Sequence, residues 1–338
     1  MSTKKHVLSS LKDKNTLRPP VDPDSLPESE LWRPLYPFES RYTRLGGFTC
    51  HYIDEYESAL LYHSKERGKP VGPEELPTLL FVHGNPTWSF YWRNLMTAYR
   101  DHYRVVAFDH IGCGLSEKPQ EVDYPYTLAR RINDLNALIQ KLNLHHVTLV
   151  AHDWGGAIGL GSAARSPKRF ERFALLNTGA FRFATCPLRI RICRAPILGR
   201  LLIKGLNVFP QAAVRMATSQ KGGLDKAVAS GLLAPYASWH DRVAVYEFVQ
   251  DIPLSEKHRS WARLIEVEQG LEQFRTKPVA LIWGMQDWCF TGEYIKKFLQ
   301  YYPEAQVSRI ESAGHYVVED ALDEVKGALD QLLKKQRP

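Results

Sequence analysis

The chain has 338 residues, of which 44% are hydrophobic and 24% charged, and it carries a formal net charge of +7. This is the composition of a globular protein with a sizeable core, and its longest apolar runs fall well short of the roughly 18 residues that span a membrane. The N-terminus lacks the apolar region of a secretory leader, and the five cysteines form no CxxC pair, which argues against a disulfide framework and a zinc site. We therefore expect a cytoplasmic protein that needs no metal or other cofactor.

The positive charge is concentrated in one segment. No Asp or Glu occurs between Glu171 and Asp225, while nine Lys and Arg residues lie there. A nucleic-acid binder would present a basic face supported by a recognisable binding module. Because the rest of the chain has no basic excess, we do not expect a nucleic-acid partner.

The predicted elements alternate along most of the chain. The first 30 residues are polar and rich in proline, which is typical of a loosely ordered arm. Apolar runs bounded by turn residues predict strands at residues 48–52, 78–82, 104–109, 147–151, 173–176, 278–283 and 307–310. Helical spacing of apolar residues predicts helices at residues 126–142, 157–165 and 293–301, with a last helix at the C-terminus. Such alternation is typical of an α/β fold with a mostly parallel, doubly wound sheet.

The alternation stops between residues 181 and 257, where we predict helices and loops but no strand. This pattern divides the chain into an arm (1–30), a first core part (31–180), a helical cap (181–257) and a second core part (258–338). An insertion at this point would cover the carboxyl edge of the sheet. Ligands bind at that edge in open α/β folds.

The strongest chemical signal is Asp153 in the segment VAHDWGG, between a predicted strand and a predicted helix. A sharp strand–turn–helix elbow exposes one side chain above the sheet. A carboxylate there can attack an sp³ carbon and form an alkyl ester of the enzyme, which water then hydrolyses. The competing interpretation is a structural Asp that caps the helix.

Two further residues fit the chain order nucleophile, acid, histidine that such a fold requires. His315 follows the last predicted strand and would be the general base that activates water. Asp287 directly follows a strand and would orient His315. The alternatives are a surface histidine and a turn-forming aspartate. An earlier strand end carries Asn177, which has no carboxylate, so we assign the acid to Asp287.

The segment HGNPTW, which follows an early strand, predicts an oxyanion hole. We assign the backbone N–H groups of Asn85 and Trp154 to it. The side-chain amide of Asn85 and the indole N–H of Trp154 add two neutral donors. Such a pair suits a halide or another leaving anion.

Five segments together resemble the haloalkane dehalogenase family of the α/β-hydrolase superfamily: FVHGNPTWSFYWRNL, FDHIGCGLSEKP, LVAHDWGGAIG, LIWGMQDWCFT and AGHYVVED. The resemblance is greatest to the third dehalogenase subfamily, which overlaps with the β-lactone decarboxylases of olefin biosynthesis. It implies the α/β-hydrolase fold with a helical cap inserted after the sixth strand. It also implies that Asp153 is the nucleophile, His315 the base and Asp287 the acid, with Asn85 and Trp154 as the halide-stabilising pair.

The first functional hypothesis is hydrolysis of haloalkanes to alcohol and halide, with a small hydrophobic halogenated substrate, water and a halide ion as the partners. The alternative is decarboxylation of β-lactones to cis-alkenes by the same residues. Epoxide hydrolysis needs acidic groups in the cap, for which Tyr236 and Tyr246 are the candidates. It comes third, because Asn85 stands where epoxide hydrolases more often carry an aromatic residue. A receptor that has kept the pocket comes last, since Asp153, Asp287 and His315 are all present.

Residues 188–206 are both basic and apolar. We interpret them first as cap helix with a solvated basic face. The alternative is a surface that contacts acidic partners, lipid-like chains or other subunits. Members of the resembled subfamily are prone to oligomerise, so a homo-oligomer is expected.

Overall fold

The molecule is built on one eight-stranded sheet, and the computed structural model describes residues 21–182 and 186–335. The strands are β1 (Arg41–Leu45), β2 (Phe48–Glu55), β3 (Thr78–Val82), β4 (Arg104–Phe108), β5 (Val147–Asp153), β6 (Phe170–Thr178), β7 (Val279–Gly284) and β8 (Gln306–Ile310). Their order across the sheet is β1-β2-β4-β3-β5-β6-β7-β8. β2 pairs antiparallel with β1 and β4, and the remaining pairs are parallel. The predicted α/β class and mostly parallel sheet are therefore confirmed.

Fourteen helices are found in the described residues. They are α1 (Ser29–Trp32), α2 (Glu57–Arg67), α3 (Arg93–Tyr99), α4 (Leu128–Lys141), α5 (Trp154–Ala163), α6 (Leu188–Arg194), α7 (Pro196–Arg200), α8 (Val208–Met216), α9 (Lys226–Leu233), α10 (Val243–Gln250), α11 (Trp261–Gly270), α12 (Gly292–Tyr301), α13 (Val317–Asp320) and α14 (Leu322–Lys334). A π-helical turn, Leu201–Gly205, continues α7. None of the helices in the described residues has the length and apolar character needed to cross a bilayer.

The sheet separates two apolar layers. Leu79 and Phe81 of β3 pack into one layer, whereas Leu80 and Val82 pack into the other. Successive side chains of a strand point to opposite faces. Every residue of β3 is buried, which is expected of a central strand that helices cover on both sides. The core thereby holds the carboxyl ends of β3, β5, β6 and β7 in fixed positions.

The cap follows the sixth strand, as the resemblance implied. Between residues 181 and 257 the described part of the chain contains α6 to α10 and no strand. The domain boundaries drawn from the sequence remain a prediction.

Several elements were absent from the sequence prediction, among them β1, α2 and α3, and the start of α5 was misplaced. β1 is an edge strand with the polar sequence RYTRL, and α2 buries only Ala59, so neither has a strong apolar pattern. Helix α5 begins at Trp154 instead of Ala157, directly after the elbow.

The predicted N-terminal arm is only partly covered, because residues 1–20 lie outside the described residues. Residues 21–30 depart from a loose arm. They include a 3₁₀ turn, Pro23–Ser25, and the start of α1. Val21 and Leu26 pack against the core, and this apolar contact accounts for the order of the segment.

Candidate active site

Asp153 lies at the turn between β5 and α5, where its backbone has φ 53° and ψ −126°. A non-glycine residue in this region is strained by roughly 1–3 kcal/mol and needs support from its surroundings. Thr178 provides part of that support, since its hydroxyl donates a hydrogen bond to the backbone carbonyl of Asp153. The neighbouring loop must also be small: a Cβ on Gly84 would lie 2.1 Å from Oδ1 of Asp153. The elbow that the sequence predicted is thus held by contacts from β6 and from the loop after β3.

One oxygen of the Asp153 carboxylate is held and the other faces the histidine. The backbone N–H of Asn85 donates to Oδ1 at 2.7 Å, while Oδ2 lies 3.8 Å from Nε2 of His315. Burial raises the pKa of Asp153, and the nearby His315 and the N–H groups of Asn85 and Trp154 offset this only in part. The result is a positioned carboxylate with one oxygen free to react.

The second ring nitrogen of His315, Nδ1, holds the imidazole in position. Nδ1 lies 2.7 Å from Oδ2 of Asp287. Burial acts to lower the pKa of His315, but the charge and hydrogen bond of Asp287 and the charge of Asp153 outweigh it, so the pKa lies above its usual value. The distance of 3.8 Å between Nε2 and Asp153 is too long for a hydrogen bond. Asp287 therefore orients the imidazole, while no hydrogen bond joins His315 to the Asp153 carboxylate.

Asn177 contributes to the site in a way that the sequence analysis missed. Its side-chain amide donates to Oδ2 of Asp287 at 2.9 Å and to the carbonyl of Gly284 at 3.0 Å. The N–H of Cys289 donates to the other oxygen of Asp287 at 2.7 Å. Its position near a strand end was the only sequence signal, since Asn177 is the penultimate residue of β6, which lies beside the strand that precedes Asp287. The side-chain amide of Asn177 therefore holds the Asp287 carboxylate in position.

A second unpredicted contributor is His152, whose ring lies 4.5 Å from the ring of His315. Nε2 of His152 lies 2.9 Å from the backbone carbonyl of His315. Burial holds the pKa of His152 well below its usual value, and the charge of His315 adds to the effect. The ring of Phe290 stacks on His315 with a centroid distance of 5.6 Å. The imidazole of His315 is thus enclosed by the buried ring of His152 and the ring of Phe290.

Asn85 and Trp154, the predicted pair of donors, both line the cavity beside Asp153. Nδ2 of Asn85 donates one hydrogen bond to the carbonyl of Val245 in the cap, at 3.2 Å. An amide nitrogen carries two hydrogens, so this contact leaves one for a ligand. The Trp154 ring packs against Phe248 of α10 at 5.5 Å. Cap residues therefore orient both donors.

A cavity of about 150 Å³ lies above Asp153. Ile190, Phe209 and Val249 line it from the cap, and Phe290 lines it from the core. Among the described residues that line it, Asp153 is the only one with a charged side chain. A substrate for this cavity must be largely apolar.

The two tyrosines proposed for epoxide activation do not meet at this cavity. The hydroxyl of Tyr236 donates to the carbonyl of Thr87 at 3.2 Å, and that of Tyr246 donates to the carbonyl of Pro196 at 3.2 Å. Neither tyrosine belongs to the described cavity lining. Tyr236 and Tyr246 therefore cannot act as the pair of acids that would protonate an epoxide oxygen in this cavity.

Asp320 accepts hydrogen bonds from both the cap and the loop that carries His315. Oδ2 of Asp320 accepts hydrogen bonds from the N–H of Gly314 at 2.7 Å and from the N–H of Ser219 at 2.9 Å. The N–H of Tyr316 donates to the carbonyl of Ala217 at 2.7 Å. The segment after α8 is therefore bonded to the loop that carries His315.

Several known proteins are similar to this chain in sequence. The model of a family described as alpha/beta hydrolase fold matches residues 77–322. A cis-3-alkyl-4-alkyloxetan-2-one decarboxylase of Shewanella oneidensis is 40% identical over 295 residues, which cover 86% of this chain and 87% of the relative. Haloalkane dehalogenase 2 of Mycobacterium tuberculosis is 29% identical over 301 residues, which cover 87% of this chain and 95% of the relative.

Solved structures with a similar fold include haloalkane dehalogenases. The crystal structure of a haloalkane dehalogenase from Agrobacterium tumefaciens C58 superposes with a TM-score of 0.72 at 23% identity. The match covers 87% of this chain and 96% of that one. At this level of identity the likeness concerns the fold alone.

Proposed function

The chain belongs to the α/β-hydrolase fold family, in the branch that contains haloalkane dehalogenases and β-lactone decarboxylases, and from this premise we propose that it decarboxylates cis-3,4-dialkyl β-lactones to cis-alkenes. The observation that carries the proposal is the identity of 40% with a named decarboxylase, against 29% with a named dehalogenase. Dehalogenation, which the sequence analysis ranked first, becomes the second candidate. Both use Asp153 as the nucleophile.

In the first step, Oδ2 of Asp153 attacks C4 of the lactone ring from the side opposite the ring oxygen. The bond between C4 and the ring oxygen breaks, and the strain of the four-membered ring is released. The product is an alkyl ester of Asp153 with a free carboxylate on C3. The hydrogen bond from Asn85 to Oδ1 supports this step, because it holds the carboxylate while leaving Oδ2 free.

In the second step, the bond between C3 and its carboxylate breaks, and its electron pair forms the C3–C4 double bond. The bond from C4 to Asp153 breaks at the same time, which releases CO₂, the alkene and the Asp153 carboxylate. Attack from the back leaves the new C4–O bond opposite the departing carboxylate. The elimination then needs no bond rotation, and the cis arrangement of the two alkyl groups is kept.

This route consumes no water and transfers no proton. The N–H groups of Asn85 and Trp154 stabilise the carboxylate of Asp153 as it leaves. His315, whose pKa is raised by Asp287 and Asp153 against the effect of burial, supplies a favourable positive charge. Asp287 keeps that charge in place.

Haloalkane hydrolysis is favoured by one specific feature, the Asn85 and Trp154 side chains beside the nucleophile. Asp153 would displace the halide, which the two neutral donors would hold. His315 would then deprotonate water for attack on the ester carbonyl, giving the alcohol, the halide and a proton. Alkylation removes the charge of Asp153, one of the causes that raise the His315 pKa. The imidazole therefore loses its proton more readily at the stage where a base is needed.

A paired assay on one purified sample tests the order of the two functions. We expect a cis-dialkyl β-lactone to give cis-alkene and CO₂, measured by gas chromatography, with a higher kcat/KM than bromide release from brominated alkanes. The absence of alkene from a panel of chain lengths would contradict the proposal.

Turnover in oxygen-18 water tests the mechanism of each reaction. Hydrolysis through attack on the ester carbonyl labels the carboxylate of Asp153, and mass spectrometry of the peptide detects the label. Decarboxylation leaves Asp153 unlabelled, because no water attacks the ester. The Asp153→Ala variant provides the baseline for both measurements.

A further inference from the structure

The outer side of the cap exposes many large apolar side chains within a short segment. Ile197 is 87% exposed and Leu188 is 70% exposed. We define the cap face as the exposed large apolar and arginine side chains of α6, of α7, and of the π-helical turn with the residue after it: Leu188, Arg189, Arg191, Ile192, Ile197, Leu198, Arg200, Leu201 and Leu206. Scattered apolar residues on a surface need no explanation, but a continuous set marks an interaction site.

The cap face is also basic and lacks acidic neighbours in the sequence. It lies within the segment between Glu171 and Asp225, which contains nine Lys and Arg residues and no Asp or Glu. Within the described part of the chain, Arg189 and Arg191 have no carboxylate within ion-pair distance. Arg200 and Lys204 differ, because Arg200 lies 3.9 Å from Glu121 and the buried Lys204 lies 2.7 Å from it. Arg189 and Arg191 are therefore the cations available to an anionic partner.

An aromatic residue borders the face. Trp239 is 45% exposed, and the cations of Arg200 and Lys204 lie 5.8 Å and 5.5 Å from its ring. A Cβ on Gly205 would lie 3.1 Å from Leu201 and 3.4 Å from Trp239, so these two side chains are neighbours. Trp with adjacent Arg and Lys is enriched where a protein meets the headgroup region of a bilayer.

The opposite side of helix α6 faces the cavity above Asp153. Ile190 lines the cavity together with Pro187, whereas Leu188 and Ile192 point outward. The cap face and the cavity above Asp153 are thus separated by the thickness of one helix, α6.

From these observations we propose that the cap face docks on an anionic lipid membrane and that apolar substrate passes from the membrane into the cavity. The second part rests on the proposed function, since it assumes a dialkyl substrate. A second copy of the chain fits this face less well, because an interface of two identical faces would bring like charges together. Apolar side chains that project outward between cations suit a deformable bilayer with anionic headgroups.

Vesicle flotation with the full chain tests the docking. We expect binding to vesicles of phosphatidylcholine and phosphatidylglycerol, no binding to vesicles of phosphatidylcholine alone, and weaker binding as salt increases. Charge reversal by Arg189→Glu with Arg191→Glu should weaken binding at least about tenfold, because each basic residue near an anionic surface contributes several-fold to binding. Ile197→Ser with Leu198→Ser should also weaken it.

The matched control is Lys65→Glu with Lys69→Glu, two exposed lysines on and after α2, which should leave binding unchanged. Thermal unfolding of each variant checks that it folds. Equal binding to both vesicle types, or binding that the Arg189 and Arg191 changes leave intact, would overturn the proposal. So would lipid-free self-association that these changes abolish, or absence of vesicle binding together with salt-sensitive capture by an acidic protein.

Turnover of a short-chain lactone without vesicles separates this proposal from the proposed function. We expect the Arg189 and Arg191 variant to keep full activity in that assay. Loss of vesicle binding with intact turnover confirms that the changed residues act in docking. A wild-type chain that binds anionic vesicles but decarboxylates no lactone would overturn the proposed function and leave the docking in place.

Discussion

The carboxyl edge of the sheet and the cap that covers it differ in the kind of side chain that they present. At the sheet edge, each polar group that faces the reaction is held by a partner: Asp153 by Asn85, His315 by Asp287, and Asp287 by Asn177. The cap supplies an apolar lining on its inner side and exposed apolar and basic residues on its outer side. In the proposed function, the core would therefore set the type of reaction, while the cap would select the substrate.

Replacing Asp153, the proposed nucleophile, is the most severe test of the role of the core. Asp153→Ala should lower kcat for both β-lactone and bromoalkane by at least about 10⁴-fold, because both reactions need a covalent bond to this carboxylate. The measurement is product formation by gas chromatography. The change also removes a buried carboxylate, so we expect no loss of thermal stability. Retained turnover would place the chemistry elsewhere.

Removing the base should separate the two reactions. His315→Phe should reduce haloalkane hydrolysis by about 10²–10⁴-fold and leave the alkylated protein as a mass increase of the intact chain. Lactone decarboxylation should fall by less than about tenfold, because no proton transfer is needed and only a favourable charge is lost. Equal losses in both reactions would contradict the water-free route.

The pH dependence should differ in the same sense. Hydrolysis needs neutral His315, so its kcat should fall about tenfold for each pH unit below the histidine pKa of the ester intermediate. That pKa lies below that of the free enzyme, where the charge of Asp153 helps to raise it. Decarboxylation should show no such fall until Asp153 itself is protonated, which begins above the usual carboxyl range because burial raises the pKa of Asp153. Parallel pH profiles for kcat would contradict this distinction.

A change of Asn177 tests how much its hydrogen bond to Asp287 contributes to the reaction. Asn177→Ala removes the hydrogen bond at 2.9 Å to Asp287 and should lower kcat about tenfold, equivalent to about 1.4 kcal/mol, with KM unchanged. The acid limb of the hydrolytic pH profile should move upward, since a less stabilised carboxylate attracts the proton of His315 more strongly. A change in thermal stability without this movement would mean that Asn177 has only a structural role.

The smallest effect is expected in the cap, where one helix offers a matched pair of changes. Ile190 lines the cavity and Ile192 is exposed. Ile190→Val should change the ratio of kcat/KM for long-chain and short-chain lactones by up to about tenfold, whereas Ile192→Val should not. Equal effects of the two changes would argue against a selective role of this helix.

Elements with strong apolar patterns were predictable from the sequence. The strand at residues 78–82 and the helix at residues 126–142 agree with β3 and α4 within two residues, because burial on one or two faces dictates their periodicity. β1 and α2 were missed, since an edge strand and a largely exposed helix place little demand on their residues.

The sequence predicted which residues lie together at the candidate site, but not the residues that support them, and the catalytic roles stay predictions. The order Asp153, Asp287 and His315 follows from strand ends that a parallel sheet brings to one edge. The contact between Asn177 and Asp287 joins residues far apart in sequence, and no local pattern reports it. Likewise, only the packed structure reveals that Tyr236 and Tyr246 turn their hydroxyls to backbone carbonyls.

The two hydrogen bonds of Asp320 have a consequence for how the cavity can open. They fasten the segment after α8 to the loop that carries the base, so lifting the lid at that margin would pull His315 out of line. A movement of the cap that keeps His315 aligned would therefore have to occur at the opposite margin, along α6 and α7. In the proposed reaction, substrate would enter and product would leave on that side.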